Sequence, residues 1–174
     1  LELIDVRFAI EPHICRLCVL NAGAEDFDQL EYLLGEMEAS LNDPVRFSQF
    51  DTRFHAQLAE TTRNQLLVWI IGQINAVRNN EEWLIMRKLT LSPQMIQSYN
   101  TGHRRVFEAI QARDADLAAR KESVGAEKIG RRNVASDGRH GSQQRTGGAS
   151  PSSGGWGHFV DTSDAMGSLH NFYG

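Results

Sequence analysis

The spacing of apolar residues constrains this chain most. Phe27, Leu30, Leu34, Met37 and Leu41 recur in steps of 3, 4, 3 and 4. That period places all five on one face of an α-helix. A half-buried strand needs alternation in steps of two, and no stretch alternates between hairpin turns. The same helical period runs through residues 1–121, broken by short stop and start signals. Leu3, Val6, Ile10, Ile14, Leu17 and Leu20 form an apolar side over about Leu3 to Asn21, with a kink or break expected near Glu11 because Pro12 follows. Asn21-Ala22-Gly23 ends that helix. The second helix spans about Glu25 to Leu41. Asp43 caps a third and Pro44 suits its first turn. Asn64 caps a fourth, expected to run from Gln65 towards Arg87. Ser92-Pro93 opens a fifth region that continues through His103 to Ala112, and Asp114 caps a last helix from Ala115. The expectation is an all-α, antiparallel bundle of about six helices.

Composition divides the chain near Lys121. Of the 15 glycines, Gly23, Gly35, Gly72 and Gly102 precede that point, and the rest lie between Gly125 and Gly174. Residues 136–157 are rich in Gly, Ser, Gln and Arg without apolar period, the composition of a segment that cannot bury enough surface to order itself. Two units are therefore expected: a helical domain at 1–121 and a largely unstructured tail at 122–174. A reading-frame error or fusion near Lys121 would explain the change. The chain starts with Leu1 inside a helical pattern, so a truncation at that end is also expected. Net charge is −4, so this stretch offers no basic surface for phosphate contact. Arg131, Arg132 and Arg139 are too scattered to make a nucleic-acid arm. No apolar run approaches the roughly 18 residues of a membrane span.

Cys15-Arg16-Leu17-Cys18 is formally a C-x-x-C. A redox role needs a depressed thiol pKa and a βαβ setting, and a zinc knuckle needs a second ligand pair. Neither is present, so both residues are read as small apolar groups on a helix flank.

The chemistry-bearing residues lie on two helices. Phe47, Phe50, Phe54 and Leu58 mark the buried stripe of the third. Asp51 and His55, four apart, are neighbours at its edge. A carboxylate and an imidazole turned towards a core are costly unless paired or bound. Two readings stand open: a His–Asp hydrogen bond at the core margin, or two ligands for one metal ion. His103 falls in the middle of the face marked by Val106, Phe107 and Ile110. Two His and one Asp form a mixed N/O donor set suited to Zn, Ni, Mn or Fe in an open site, with Zn or Ni favoured.

Four segments, in this order and spacing, resemble the FCD effector-binding domain of FadR-type GntR transcription regulators. They are Leu3-Ile4-Asp5-Val6-Arg7-Phe8-Ala9-Ile10-Glu11-Pro12, Phe50-Asp51-Thr52-Arg53-Phe54-His55, Asn64-Gln65-Leu66-Leu67, and His103-Arg104-Arg105-Val106-Phe107-Glu108-Ala109-Ile110 with Arg113-Asp114. The resemblance covers essentially all of residues 1–121. It implies a helical bundle normally preceded by a winged helix-turn-helix domain. It also implies a central pocket for small organic acids, often bound through a metal held by one Asp and three His. Asp51, His55 and His103 match the first three of those ligands. The fourth belongs on the last helix about 22 residues after His103, where this chain has Gly125. No His stands between His103 and His140, so the last helix and the fourth ligand are expected to be missing and metal binding to be weakened. His140, His158 and His170 are poor substitutes on a flexible tail. Arg7 is the candidate grip for an effector carboxylate, because a guanidinium can hold one with two parallel hydrogen bonds. A structural ion pair is the other reading of Arg7. Arg53 is expected at the surface and Asn64 as a cap.

The resulting expectation is a cytoplasmic, homodimeric sensor domain and no enzyme. It binds a small carboxylate through a divalent metal and touches DNA only through the absent N-terminal domain. The rivals are a helical metal-dependent hydrolase and a purely structural dimerisation module. The hydrolase lacks a nucleophile elbow, HExxH or phosphate-cradling loop.

Overall fold

The computed structural model of the chain describes residues 2–78 and 80–123, leaving aside the side chains of Glu2 and Ile4. The chain divides into two units, Leu1–Gly138 and Arg139–Gly174, and every described residue lies in the first. Of the unstructured tail expected at 122–174, residues 122 and 123 are described and helical; the rest, with Gly125, His140, His158 and His170, lies outside the described residues.

The described residues are all-α. They form α1 (Glu2–Asn21), α2 (Ala24–Glu38), α3 (Pro44–Thr61), α4 (Gln65–Arg78), α5 (Glu81–Thr90) and α6 (Pro93–Gln111), followed by a seventh helical stretch, α7, over residues 115–123. None of the described helices is long and apolar enough to cross a membrane.

The predicted start signals act as caps. The Asp43 carboxylate accepts from Arg46 N, the Asn64 side chain from the backbone N–H groups of Leu66 and Leu67, the Ser92 hydroxyl from Met95 N, and the Asp114 carboxylate from Leu117 N. Each satisfies a donor that the first helical turn leaves without a partner. Arg63 and Arg113 take left-handed φ of 59° just past α3 and α6, where the chain must reverse. Arg113 then donates to the carbonyls of Val19 and Ala22, closing the end of α1 at 2.6 and 2.7 Å.

Two expectations need correction. The single helix from Gln65 to Arg87 is two helices, because the Asn80 side chain accepts from Trp83 N and starts α5 with Glu81 and Glu82 in its first turn. These groups favour a helix N-terminus there. In α1 the helix is unbroken across Pro12. Pro12 removes one backbone donor, but Arg7 and Glu11 bridge the preceding turn, and Ile14, Cys15, Cys18 and Val19 anchor the following ones in the core. Val6 and Leu20, assigned inward by apolar count, are exposed. The inward register of α1 is Arg7, Glu11, Ile14, Cys18.

Helix α3 is the hub, packing against each of α1, α2, α4, α5 and α6. Phe47, Phe54 and Leu58 on α3, Leu30, Leu34 and Met37 on α2, and Ile96, Val106, Phe107 and Ile110 on α6 are buried in one core. Removing each large apolar side chain from water contributes about 1.5–3 kcal/mol. Both cysteines are free and buried. Cys18 Sγ donates to Leu58 O at 3.0 Å, tying α1 to α3. Burial raises the Cys15 pKa well above its ordinary value and pushes Cys18 up to about 12, so neither is a ready thiolate.

Candidate functional site

Because α3 is surrounded, polar residues at its edge meet neighbours instead of water. Asp51 and His55 lie one turn apart on α3, both buried. His103 comes from the middle of α6. The three side chains meet: Asp51 Oδ1 is 3.2 Å from His103 Nε2 and 3.8 Å from His55 Nε2. The imidazole rings stand 5.4 Å apart, and the Phe54 ring packs edge-on against both. Arg53 is exposed, as expected, against the Phe50 ring.

Four further charged groups, none of them at the surface, complete the cluster. Arg7 and Glu11 of α1 pair at 2.7 Å, and Arg7 Nη2 lies 3.0 Å from His55 Nε2. A guanidinium has no acceptor, so His55 Nε2 accepts and its proton resides on Nδ1. That nitrogen faces Glu11 Oε1 at 3.4 Å. Arg78, the last residue of α4, donates through Nη2 to Asp51 Oδ2. Glu122 of α7 is buried and comes within reach of both Glu11 and His55. The sequence boundary at 121 thus falls inside a helix whose next residue reaches this cluster, and the opening turns of a last helix are present.

The electrostatics follow from burial and pairing. Burial alone would favour neutral forms everywhere. It does so for His55, pushed down to about 3 by burial and by the charge of Arg7 against the opposing pull of Glu11. Burial also raises Glu122 well above the carboxylate range, helped by the charge of Glu11 beside it. Glu11 overcomes burial through the charge of Arg7 and falls to about 2. Asp51 likewise stays well below the usual carboxylate range because the Arg78 charge outweighs burial. Arg7 is raised, since Glu11 outweighs its burial; Arg78 is lowered, with burial the dominant cause. Near neutral pH Glu11 and Asp51 are carboxylates facing the Arg7 and Arg78 guanidinium groups, and His55 is neutral.

Several buried atoms have no partner among the described residues: Arg78 Nε and Nη1, His103 Nδ1 and Glu11 Oε2. Donor atoms around one zinc at about 2.0–2.2 Å and tetrahedral angles stand roughly 3.3–3.6 Å apart. The separations of 3.2 and 3.8 Å about Asp51 Oδ1 are close to that, so Asp51, His55 and His103 fit a cation as a donor set. One donor atom from each, Asp51, His55 and His103, lies within 4.8 Å of the others.

Sequence reasoning singled out Arg7, Asp51, His55 and His103 and missed Glu11, Arg78 and Glu122. A signal for Arg78 was available. Leu67, Ile71, Ile74 and Arg78 recur in steps of 4, 3 and 4, so the arginine continues the buried face of α4.

A family model described as the FCD domain matches residues 2–121. The chain belongs to the FCD family. FCD domains are parts of GntR-family transcription regulators, and the relatives of this one carry such descriptions. It is 29% identical over 117 residues to the galactonate operon transcriptional repressor of Escherichia coli K12, covering 66% of this chain and 48% of that protein. It is also 29% identical over 118 residues to a putative L-lactate dehydrogenase operon regulatory protein of Escherichia coli K12, covering 67% and 45%. The FCD chain thus spans about half the length of the curated relatives it matches. In fold it is similar to Streptococcus agalactiae GntR, with a TM-score of 0.60 at 22% identity over 75% of this chain and 57% of that one. It is similar as well to Escherichia coli McbR/YncC, with a TM-score of 0.64 at 16% identity over 80% and 64%.

Proposed function

We propose that this chain is the ligand-sensing and dimerisation domain of a cytoplasmic GntR-type regulator. It binds a small organic carboxylate through a divalent cation, zinc or nickel, held by Asp51, His55 and His103. The observation that carries this reading is the meeting of those three side chains, from two helices, in a buried setting. The cation supplies a Lewis-acidic centre for a carboxylate oxygen. The residues of the chain do the rest. Glu11 faces the Nδ1–H of His55 and holds its ring with Nε2 turned inward. Arg7 supplies the guanidinium fork for the acid, and Phe54 walls both imidazoles from water. Galactonate and L-lactate, the acids in the relatives' names, are both 2-hydroxycarboxylates, which agrees with a site offering a cation beside arginines. In a homodimer, occupancy would favour one arrangement of the helices and so shift the spacing of winged helix-turn-helix domains attached to each copy.

Calorimetric titration of the full chain with Ni²⁺ or Zn²⁺ tests the reading. We expect stoichiometric binding that weakens by about 10–100-fold or more in His55→Ala and in His103→Ala, a range measured for lesser changes around metal sites. Binding that is indifferent to both substitutions overturns it.

A further inference from the structure

The two guanidinium groups occupy the atoms that a cation would use. Arg7 donates to His55 Nε2, the only lone pair that His55 turns towards Asp51 and His103. Arg78 donates to Asp51 Oδ2 while its Nε and Nη1, fully buried, have no partner among the described residues. Glu11 and Asp51 are balanced by Arg7 and Arg78. Buried Arg87, whose Nε lies 3.5 Å from Ser48 Oγ one turn before Asp51 and Thr52, adds a third cation. A divalent ion placed among Asp51, His55 and His103 takes the Nε2 lone pair from Arg7 and shares Asp51 with Arg78. Arg7 then keeps Glu11 but loses its bond to His55, Arg78 keeps only a share of Asp51, and the cluster carries excess positive charge. Buried charge without a counter-ion is far costlier than a buried pair. An entering carboxylate removes that excess, because its two oxygens match the freed fork of either arginine.

We infer that Arg78 is both a competitor for the cation and an anchor for the acid, so that cation and carboxylate bind as a cooperative pair. This rests on the functional reading above. It assigns Arg78, which lies outside the three-residue donor set, the role of making the cation site respond to acid. The chemistry favours an anion with a planar carboxylate, whose two oxygens each accept one N–H of the fork; chloride offers a single spherical acceptor and matches the fork less well.

The test is Ni²⁺ titration of the full chain by calorimetry and by nickel absorption. It is run in chloride buffer and again with saturating L-lactate or galactonate, correcting for nickel held by the acid in solution. In the wild-type chain, acid should tighten Ni²⁺ binding about 10-fold or more, and Ni²⁺ should tighten acid binding by the same factor. Arg78→Met removes the competitor, so Ni²⁺ alone should bind more tightly than to wild type while the acid effect falls towards 1. Arg78→Lys keeps the charge but loses the fork; it should keep the weak nickel affinity and lose most of the acid effect. Thermal melts show whether either variant is folded, and Arg78→Gln, which keeps a polar side chain without the charge, takes the place of Arg78→Met in the same titrations if the latter is not. Independent binding of Ni²⁺ and acid in the wild type overturns both the inference and the binding of acid through the cation, whereas an acid effect that is unchanged in a folded Arg78→Met overturns the inference alone. Weaker nickel binding in a folded Arg78→Met overturns it too, since a purely structural arginine predicts that. No nickel binding in any buffer overturns both.

Discussion

The apolar and polar parts of this core are both shielded from water and differ in what makes that shielding tolerable. Phe47, Phe54, Leu30, Leu34, Met37 and Ile110 gain from burial one by one, and each gain depends little on the chemical identity of its neighbours. Arg7, Glu11, Asp51, His55 and Arg78 are buried too, yet each is tolerable only because another stands within hydrogen-bond reach. The first set makes the bundle; the second is expensive to keep and still leaves atoms without partners. A fold alone has no use for that arrangement, since apolar residues of similar volume often serve as well or better than a buried ion pair. The contrast teaches that this half of the core is arranged for something that enters it.

The largest effect should come from the apolar set. Phe54→Ala removes a fully buried ring from the hub helix and opens a void beside both imidazoles; a loss of about 3–5 kcal/mol is expected in urea denaturation. A loss under about 1 kcal/mol would show that the polar cluster, not Phe54, sets the packing there. Next in size, Glu11→Leu strands the Arg7 guanidinium in the core and should cost about 3 kcal/mol. Adding Arg7→Met to it should recover most of that loss, because the pair is replaced by apolar volume. If the double variant is no more stable than the single one, the Arg7–Glu11 pair belongs to the fold-making set and the comparison breaks. Smaller in free energy, but sharp, is the behaviour of the thiols. With Cys18 pushed up to about 12 and Cys15 also raised, iodoacetamide at pH 8 should label the folded chain at least about 100-fold more slowly than the chain in denaturant. Rapid labelling would mean that α1 leaves the core easily.

Much of this was legible in the residues. Helix order, the caps at Asp43, Asn64, Ser92 and Asp114, and the inward faces of α2, α3 and α6 follow from apolar period and capping chemistry. The meeting of His103 with Asp51 and His55 was also within reach, since each sits on or beside an apolar face. The inward face of α1 was legible only in part, and the reason is physical. Counting apolar residues rightly chose Leu3, Ile10, Ile14 and Leu17 but also Val6 and Leu20, which are exposed, whereas the register carries Arg7 and Glu11, two charges that are inward only because they neutralise each other. A pair of that kind leaves no trace in hydropathy. Arg78 and Glu122 were missed likewise, one continuing an apolar face at the end of α4 and the other beyond the apparent change in composition. The rule that charges face water fails where a site is built, and there the helical register is the better guide.

The smallest effect separates the two parts most cleanly. Asp43 and Asn80 are both N-caps, each accepting one backbone hydrogen bond, from Arg46 N and Trp83 N. Replacing either by Ala should cost about 1 kcal/mol. Asp43 starts the helix that carries Asp51 and His55, but two full turns of α3 lie between the cap and Asp51, held by Phe47 and the Ser48 and Thr52 hydroxyls. Asn80 stands two residues after Arg78, at the break that fixes where α4 ends and α5 begins. Equal losses of stability should therefore have unequal consequences. Asn80→Ala should loosen Arg78 and lower the acid effect on Ni²⁺ binding by a few fold, whereas Asp43→Ala should leave that effect unchanged. Denaturation midpoints for both variants, set beside the same two nickel titrations, decide it. An equal effect on coupling from both caps would mean that the charged cluster responds to overall stability and has no local dependence on the α4–α5 break.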